Sequence, residues 1–402
     1  MPASAPVPVA ELNLTQLGVC LAIGSIALLI LGVQPVLLGP LVMEGRIAEA
    51  DVGHLVTIEM LAMAAGSLAG TRALRTLSAR YLAIAGGVVL AMVDAAMTLH
   101  GSAILLLILR GVAGLAEGAL LALPIVAGAR AVQPERVAAL FLVAQTLLQL
   151  AVAAVIPNLI YLGSRADAGF LILAGAAAIA ALLGSLAPVC LRPAAPDETG
   201  GAISFRSAAA LFSAATFLGG IVVFWSYFGL WLTRHGHMPK VEGIAVAILL
   251  ASQVAGAAIA SRLNDRLQSR IVICAAALAE ALLIGLLFVK GGSEMVVYAV
   301  SAAFGFLWLF TLPSFTGLLI SIDPRRRAAL YLAASQLGGA ALLPTLSGPL
   351  IGRMGVDGAG WFGIASFAAT IVAVFLSRDW GNQPGRIDSA SPLLDQHSTD
   401  SL

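Results

Sequence analysis

Residues 102–127, SAILLLILRGVAGLAEGALLALPIVA, are almost wholly apolar but carry Arg110 and Glu117 in their interior. Arg110, Gly114 and Glu117 lie at positions i, i+4 and i+7, so an α-helix places them on one face. A helix of this length, ~39 Å, can cross the ~30 Å hydrocarbon core of a membrane. An ionised side chain at that depth costs several kcal/mol unless it meets water or a partner. The stretch therefore predicts either a wall of a polar pathway or a buried ion pair that holds helices together.

A partner for Arg110 is predicted in the apolar stretch 52–71. Glu59 lies seven residues from the start of that stretch and Arg110 lies eight residues from the start of its own, so the two side chains share a depth. The backbones of Arg110 and Glu117 are ~10 Å apart along the helix, which predicts that these two residues do not form one tight pair. Burial favours the neutral form of a carboxyl group, and a nearby cation favours the charged form. A carboxyl group balanced between these two effects can load and release a proton. We expect Glu117 to be the main proton-coupling residue, because it is farther from Arg110, with Glu59 as a second proton-coupling residue.

The overall composition places these residues in a membrane protein. Of the 402 residues, 60% are hydrophobic and 11% are charged, whereas soluble proteins carry about 25% charged residues. The net charge of +1 gives no reason to expect nucleic-acid binding. Three cysteines in apolar stretches indicate neither a disulfide framework nor a metal site. No cofactor and no cleaved signal peptide are expected.

Twelve apolar stretches are long enough to be transmembrane helices, and none alternates with the period of two that a membrane β-barrel requires. We therefore expect an all-α integral membrane protein with 12 transmembrane helices in two pseudo-symmetric six-helix bundles, 17–190 and 208–377. A cytoplasmic N-terminal segment 1–16, a Pro- and Gly-rich cytoplasmic linker 191–207 and a disordered cytoplasmic tail 378–402 would complete the chain. The predicted spans are 17–39, 52–71, 80–99, 102–127, 137–162, 168–190, 208–232, 243–261, 271–290, 294–321, 328–352 and 360–377.

The distribution of basic residues predicts the orientation of the chain. If both termini face the cytoplasm, fifteen of the 22 Lys and Arg residues fall in cytoplasmic segments and six fall in outer loops. Cytoplasmic loops of membrane proteins carry such an excess. The sequence therefore predicts a multi-pass protein of the inner (plasma) membrane with both termini in the cytoplasm.

An internal repeat supports the division into two halves. At an offset of 190 residues, Gly66 matches Gly256 and Arg72 matches Arg262. Farther along, Pro134 matches Pro324 at the same offset. One ungapped offset that holds over such a length indicates two parallel structural repeats.

Two local motifs add to this pattern. The segment Gly66 to Arg75 after the second span, echoed by Gly256 to Arg266 after the eighth, resembles the glycine- and arginine-containing loop of the major facilitator superfamily of secondary transporters. The aspartate of that family loop is replaced by Gly70, and by Ala260 in the second copy. The resemblance implies a role in gating for five residues: Gly66, Arg72, Gly256, Asp265 and Arg266.

Arg110 followed four residues later by Gly114 matches a second motif of the family, whose arginine is associated with proton coupling or substrate binding. The fifth span lacks the Gly-Pro motif typical of drug–proton antiporters, which favours uptake over export. In the family, the first, fourth, seventh and tenth helices line the central cavity. The resemblance therefore implies that the substrate-binding residues of these four helices are Arg110, Gln34, Phe224, Tyr227, Phe228, Trp231, Phe304 and Trp308. Gln145 and Gln149 of the fifth span are added as substrate-binding residues that reach the edge of the cavity.

Each of these assignments has a structural alternative. Pro35 could kink the first helix while Gln34 bonds the freed carbonyl, and Gln145 and Gln149 could form interhelical hydrogen bonds. The aromatic residues fall at helical spacing, which is also typical of packing. As binding residues, they would suit an amphipathic or aromatic carboxylate, with Arg110 holding the anion.

The resemblance and the residues together predict a monomeric secondary transporter that takes up a small organic solute with protons by alternating access. A proton-antiport exporter of a hydrophobic compound is the first alternative. A channel or a transport-like sensor is an alternative of another class. No nucleotide loop or catalytic motif indicates an enzyme.

Overall fold

A computed structural model describes residues 13–131, 133–156, 165–193, 203–263, 266–323 and 328–378, and this part of the chain contains helices and no strand. Most of the predicted segment 1–16, linker 191–207 and tail 378–402 lies outside the described residues. The α-helices are α1 (Leu14–Ala27), α2 (Leu29–Met43), α3 (Val52–Ala73), α4 (Ala79–Ala96), α5 (Ala103–Ala129), α6 (Pro134–Val155), α7 (Arg165–Gly184), α8 (Phe205–Arg234), α9 (Pro239–Leu263), α10 (Ser269–Lys290), α11 (Glu294–Ile322), α12 (Leu332–Met354) and α13 (Asp357–Leu376).

These helices match the twelve predicted spans when α1 and α2 are taken as one. Eleven described segments, including Leu14–Met43, are long and apolar enough to cross a membrane. The remaining span, α12, is 23 residues long. Helix α7 ends at Gly184, six residues before the predicted end of its span. Pro188 explains part of that difference, because a proline disfavours the helical conformation of the residue before it.

Hydrogen bonds between helix ends define the two faces of the bundle. Arg206 Nε and Arg270 Nη2 both donate to Ser377 O, so the starts of α8 and α10 lie beside the end of α13. We call this side, where the described chain begins and ends, the terminal face. On the opposite side, the far face, Arg46 Nη1 lies 2.8 Å from Asp167 Oδ1.

The sequence repeat corresponds to repeated helix packing. A Cβ built on Gly66 in α3 would lie 2.2 Å from Leu115 O in α5, and one on Gly256 in α9 would lie 2.2 Å from Phe306 O in α11. Only glycine permits such an approach of two helix backbones. The same helix pair is therefore in backbone contact in the first half, α1 to α7, and in the second half, α8 to α13.

The two halves meet through α2 and α8. Pro35 has no backbone N–H, so Leu31 O loses its partner within the helix. Trp225 Nε1 of α8 donates to this carbonyl over 2.7 Å. A Cβ on Gly229 would lie 2.3 Å from Pro35 O, which shows how closely the two helices cross.

A second set of contacts closes the interface beside α3 and α12. Gly53, in the first turn of α3, has no acceptor for its N–H within the helix, and it donates to Tyr227 Oη over 2.9 Å. Thr345 of α12 donates from Oγ1 to Gly53 O over 3.3 Å, and Arg234 forms a salt bridge with Glu49. These contacts lie in the far-face part of the bundle, so the described conformation is closed there.

Candidate functional site

The backbone contact between α3 and α5 is what brings Glu59 to Arg110. A Cβ on Gly114 would lie 2.3 Å from Glu59 O, so the helices touch one turn below Arg110. The equivalent contact in the second half joins Gly305 to Leu249 O, where a Cβ would lie 2.1 Å away. Leucine replaces the glutamate there, so the described part of the second half has no equivalent of the pairing between Glu59 and Arg110.

Arg110 is surrounded by three carboxyl groups. Nε donates to Glu59 Oε2 over 3.2 Å, and Nη2 also donates to Glu59 Oε1. Nη1 donates to Asp94 Oδ1 over 2.9 Å, and Nη2 donates to Glu117 Oε1 over 3.2 Å. None of these four residues is more than 3% exposed. The Arg110 Cζ atom also lies 5.9 Å from the centroid of the Phe170 ring. We call Glu59, Asp94, Arg110 and Glu117 the carboxylate cluster.

The structure changes two expectations about this cluster. The predicted pairing of Arg110 with Glu59 is present, but the predicted separation of Arg110 from Glu117 is wrong. Two long side chains on one helix face span the two turns between their backbones. Asp94 was not predicted, because α4 is peripheral in related transporters. The position of Asp94 along α4 could have predicted the contact, because Asp94 lies near the far-face end of α4 and Arg110 lies near the far-face end of α5.

The cluster carries more negative than positive charge when all its members are ionised. One guanidinium balances one carboxylate, which leaves two carboxylates uncompensated in an apolar interior, at a cost of several kcal/mol each. Protonation of two of the carboxyl groups would remove this excess. Glu117 Oε2 is buried and accepts no hydrogen bond from the described residues. The arrangement is therefore chemically suited to bind and release protons.

The cluster extends from the far-face side towards the middle of the bundle. Arg110 lies about 10 Å and Glu117 about 21 Å from the far-face end of α5, at ~1.5 Å per residue. The contacts that close the far face lie at the depths of Gly53, Pro35 and Gly229. In the described conformation, the closed far face therefore separates the carboxylate cluster from water on that side of the bundle.

The three glutamines proposed for solute binding lie in different environments. Gln34 is buried and accepts a hydrogen bond from Ser226 Oγ over 3.0 Å, across the interface between the halves. Gln149 Nε2 donates to Leu28 O over 2.6 Å, at the break between α1 and α2. Gln145 is partly buried. Gln34 therefore contacts the other half rather than the carbonyl freed by Pro35, and Gln149 makes the alternative interhelical bond.

Four of the proposed aromatic residues come together. The ring centroids of Phe224 and Phe304 are 5.2 Å apart, and those of Phe224 and Phe228 are 5.5 Å apart. Trp225, which was not among the predicted residues, lies between Phe228 and Trp308, with ring-centroid distances of 6.5 Å and 6.1 Å to them. We call these five residues the aromatic cluster.

Tyr227 and Trp231 lie outside the aromatic cluster. Tyr227 bonds Gly53 of the first half, and Trp231 Nε1 donates to Asp357 Oδ1 over 2.8 Å near the far face. All residues of α8 from 219 to 232 are buried, because other helices surround this segment. The predicted aromatic stripe therefore divides between an internal cluster and two structural contacts.

The residues proposed for gating lie at or near helix ends or in helix contacts. Gly66 and Gly256 lie within α3 and α9 at the backbone contacts described above. Arg72 is exposed in the last turn of α3, and Arg266 is exposed just beyond α9. Asp265 lies outside the described residues.

The fold is similar to those of solved transporters. Two crystal structures of a bacterial homolog to the human lysosomal transporter Spinster match with low sequence identity. The inward-facing and occupied form gives a TM-score of 0.69 at 15% identity, covering 90% of this chain and 95% of that chain. The inward-facing and unoccupied form gives a TM-score of 0.63 at 13% sequence identity, and the match covers 91% of this chain and 97% of that chain. A mutant of the nucleoside transporter NupG gives a TM-score of 0.69 at 14% sequence identity, and the match covers 91% of this chain and 99% of that chain.

At such low sequence identity, these matches show that the fold is shared, and they do not identify the solute. No curated protein matches the sequence. The model of the family described as the Major Facilitator Superfamily matches residues 17–343, which include α2 to α11 and the buried cluster around Arg110. The chain is thus a multi-pass membrane protein with the fold of secondary transporters, and it belongs to the Major Facilitator Superfamily.

Proposed function

We propose that the chain couples the movement of a small organic solute to protons by alternating access, and that the carboxylate cluster is the coupling site. The observation that carries this proposal is the burial of three carboxyl groups around the single guanidinium of Arg110. A purely structural ion pair needs one carboxylate for each arginine. The additional carboxyl groups give the cluster a variable charge that protons can balance.

Glu117 is the member through which protons would act on the solute. It lies deepest along α5, and its Oε1 atom is 3.2 Å from Arg110 Nη2. A proton on Glu117 weakens this contact, because a neutral carboxyl group attracts a guanidinium less than a carboxylate does. Arg110 Nη2 can then donate a hydrogen bond to another anion, such as the carboxylate of a solute. Proton binding and anion binding would favour each other in this scheme, which is the requirement for symport.

The apolar part of the solute would face the aromatic cluster. Phe224, Phe304 and Trp308 come from the seventh and tenth spans, which line the central cavity in the superfamily. Aromatic faces suit an apolar or aromatic body, and a guanidinium suits a carboxylate. An amphipathic or aromatic carboxylate therefore remains the proposed solute class.

Sidedness and domain organisation belong to the same proposal. The excess of basic residues supports a cytoplasmic location of the terminal face, so the described conformation would be closed towards the outside. Residues 17–190 and 208–377 would form the two bundles that rock against each other, joined by the linker 191–207. Protons would then reach the cluster from outside when the far face opens, as expected for uptake across the inner membrane.

A ligand screen followed by transport assays in proteoliposomes tests this function. A thermal-shift screen of the purified chain against organic acids, sugars and amphipathic drugs identifies a ligand, because a solute that binds the folded state raises its apparent stability. Counterflow of that ligand with stimulation from the opposite side identifies a carrier, whereas electrodiffusive flux without such stimulation indicates a channel. Accumulation of the ligand inside the proteoliposomes, driven by protons that enter down their gradient, supports symport. Expulsion in exchange for protons would support the exporter instead.

A further inference from the structure

A groove of about 800 Å³ lies between α10 and α13 at the terminal face. Arg270 and Arg378 line one end of the groove, together with Gln268. Leu278 and Phe375 line its apolar part, and both side chains are more than half exposed. The groove thus has a cationic end at the membrane surface and apolar walls that continue into the hydrocarbon region.

Comparison of the two sequence repeats helps to explain why a groove is present between α10 and α13 of the second half. In the first half, α4 and α7 pack closely, since a Cβ on Gly87 would lie 2.6 Å from Ala181 N and one on Gly184 would lie 2.9 Å from Ala83 Cβ. At the 190-residue offset, the two glycines correspond to Ala277 and Val374. The larger side chains prevent an equally close approach of α10 and α13, so space remains between them.

The cationic end is also specific to the second half. Arg80 Nε donates to Ala187 O in the first half, and Arg270 Nη2 donates to Ser377 O at the same offset in the second. Arg378, however, corresponds to Pro188. Two arginines therefore line the groove at a level where the first half has one.

We infer that this groove binds an anionic phospholipid, with its phosphate at Arg270 and Arg378 and an acyl chain along the apolar walls. Leu278 lies eight residues from Arg270, or about 12 Å along α10, so the groove continues well below the headgroup level. Arginine pairs phosphate oxygens in a planar, bidentate geometry. Basic pockets between transmembrane helices on the cytoplasmic side suit the headgroups of anionic lipids.

The chain's own segment 379–402 is the competing occupant, because it follows Arg378 directly. Its sequence is mostly polar, and its acidic residues are Asp379, Asp388, Asp395 and Asp400. An extended segment in the apolar part of the groove would leave backbone N–H and C=O groups without partners in hydrocarbon, at several kcal/mol each. An acyl chain carries no such groups, so the lipid fits the apolar walls better.

Native mass spectrometry of the full chain in detergent tests this inference with two probes, phosphatidylglycerol and phosphatidylcholine of identical acyl chains. We expect tighter binding of phosphatidylglycerol, and a loss of roughly fivefold per arginine, or about twenty-fivefold in Arg270→Gln/Arg378→Gln. Arg80→Gln is the matched control, since it removes the equivalent carbonyl contact from the first half. Equal phosphatidylglycerol affinity in the double variant and the control would overturn the inference.

Two further variants keep the test decisive. If Arg270→Gln/Arg378→Gln fails to fold, Arg378→Gln alone retains the Ser377 contact of Arg270 and should lose about fivefold. Leu278→Trp fills the groove and should weaken the binding of both lipids. Unchanged lipid binding in Leu278→Trp, or binding that appears only after deletion of residues 379–402, would contradict a lipid in this groove.

Discussion

At the scale of single residues, Arg110 is the side chain on which the site depends. Three of its nitrogen atoms reach three carboxyl groups from three different helices. Lysine would supply the same charge as one compact ammonium group, without the planar arrangement of donors. The arginine therefore holds α3, α4 and α5 together and also sets the charge of the cluster.

Replacement of Arg110 should destabilise the fold, because it leaves several buried carboxyl groups without a counter-charge. We expect Arg110→Gln to lower the free energy of unfolding by about 3–5 kcal/mol, and Arg110→Lys to lower it less. Thermal unfolding in detergent measures the difference. Arg353→Gln, at an exposed arginine in the last turn of α12, serves as the control. Equal melting temperatures for Arg110→Gln and this control would show that the cluster contributes little.

The sequence alone predicted part of this site. A shared depth was sufficient to pair Arg110 with Glu59, and the same reasoning applies to Asp94 after the fact. The partners of Gln149 and Trp225 could not be predicted in this way. Their acceptors, Leu28 O and Leu31 O, depend on a break in the first span and on a contact between the two halves, and neither has a local sequence signal.

At the scale of helices, glycines set the distance between neighbouring backbones. Gly66 and Gly256 were predicted as gating residues from their motif, and the structure places each at a helix contact repeated in both halves. The repeat offset predicted their equivalence, whereas the close approach itself needed coordinates. Helix bounds followed hydropathy well, except where Pro188 and the break at Leu28 interrupt an apolar stretch.

Adding a methyl group at these glycines should force the helices apart. We expect Gly66→Ala and Gly256→Ala each to cost about 1–3 kcal/mol of stability, because the new Cβ would lie 2.2 Å from a backbone oxygen. Gly175→Ala is the control, since nothing lies within 4 Å of a Cβ there. Chemical unfolding of the three variants measures the effect. A cost at Gly175 as large as at Gly66 would contradict the packing explanation.

At the scale of the whole molecule, the two halves contact each other through polar and backbone groups near the far face. Gly53 to Tyr227 and Leu31 to Trp225 are hydrogen bonds, and Glu49 to Arg234 is a partly exposed salt bridge. Exposed ion pairs and single hydrogen bonds contribute about 1 kcal/mol each. Each of these polar contacts is weak enough to break and re-form during a transport cycle.

Cross-linking the halves at the far face should stop transport. In a cysteine-free background, Glu49→Cys/Arg234→Cys treated with a short thiol cross-linker should lose counterflow of the identified solute, because the far face can no longer open. Arg46→Cys/Asp167→Cys joins two positions within the first half and should retain counterflow after the same treatment. Full counterflow in the cross-linked first pair would mean that this interface does not open during transport.

Proton coupling through Glu117 is tested most directly by two assays on the same proteoliposomes. We expect Glu117→Gln to retain counterflow of the solute but to accumulate no more solute with a pH gradient than without one. Glu280→Gln is the matched control, because Glu280 is a fully buried carboxyl whose oxygens accept no hydrogen bond from the described residues, and it should accumulate solute normally. Accumulation by Glu117→Gln at the level of the unsubstituted chain would contradict the account.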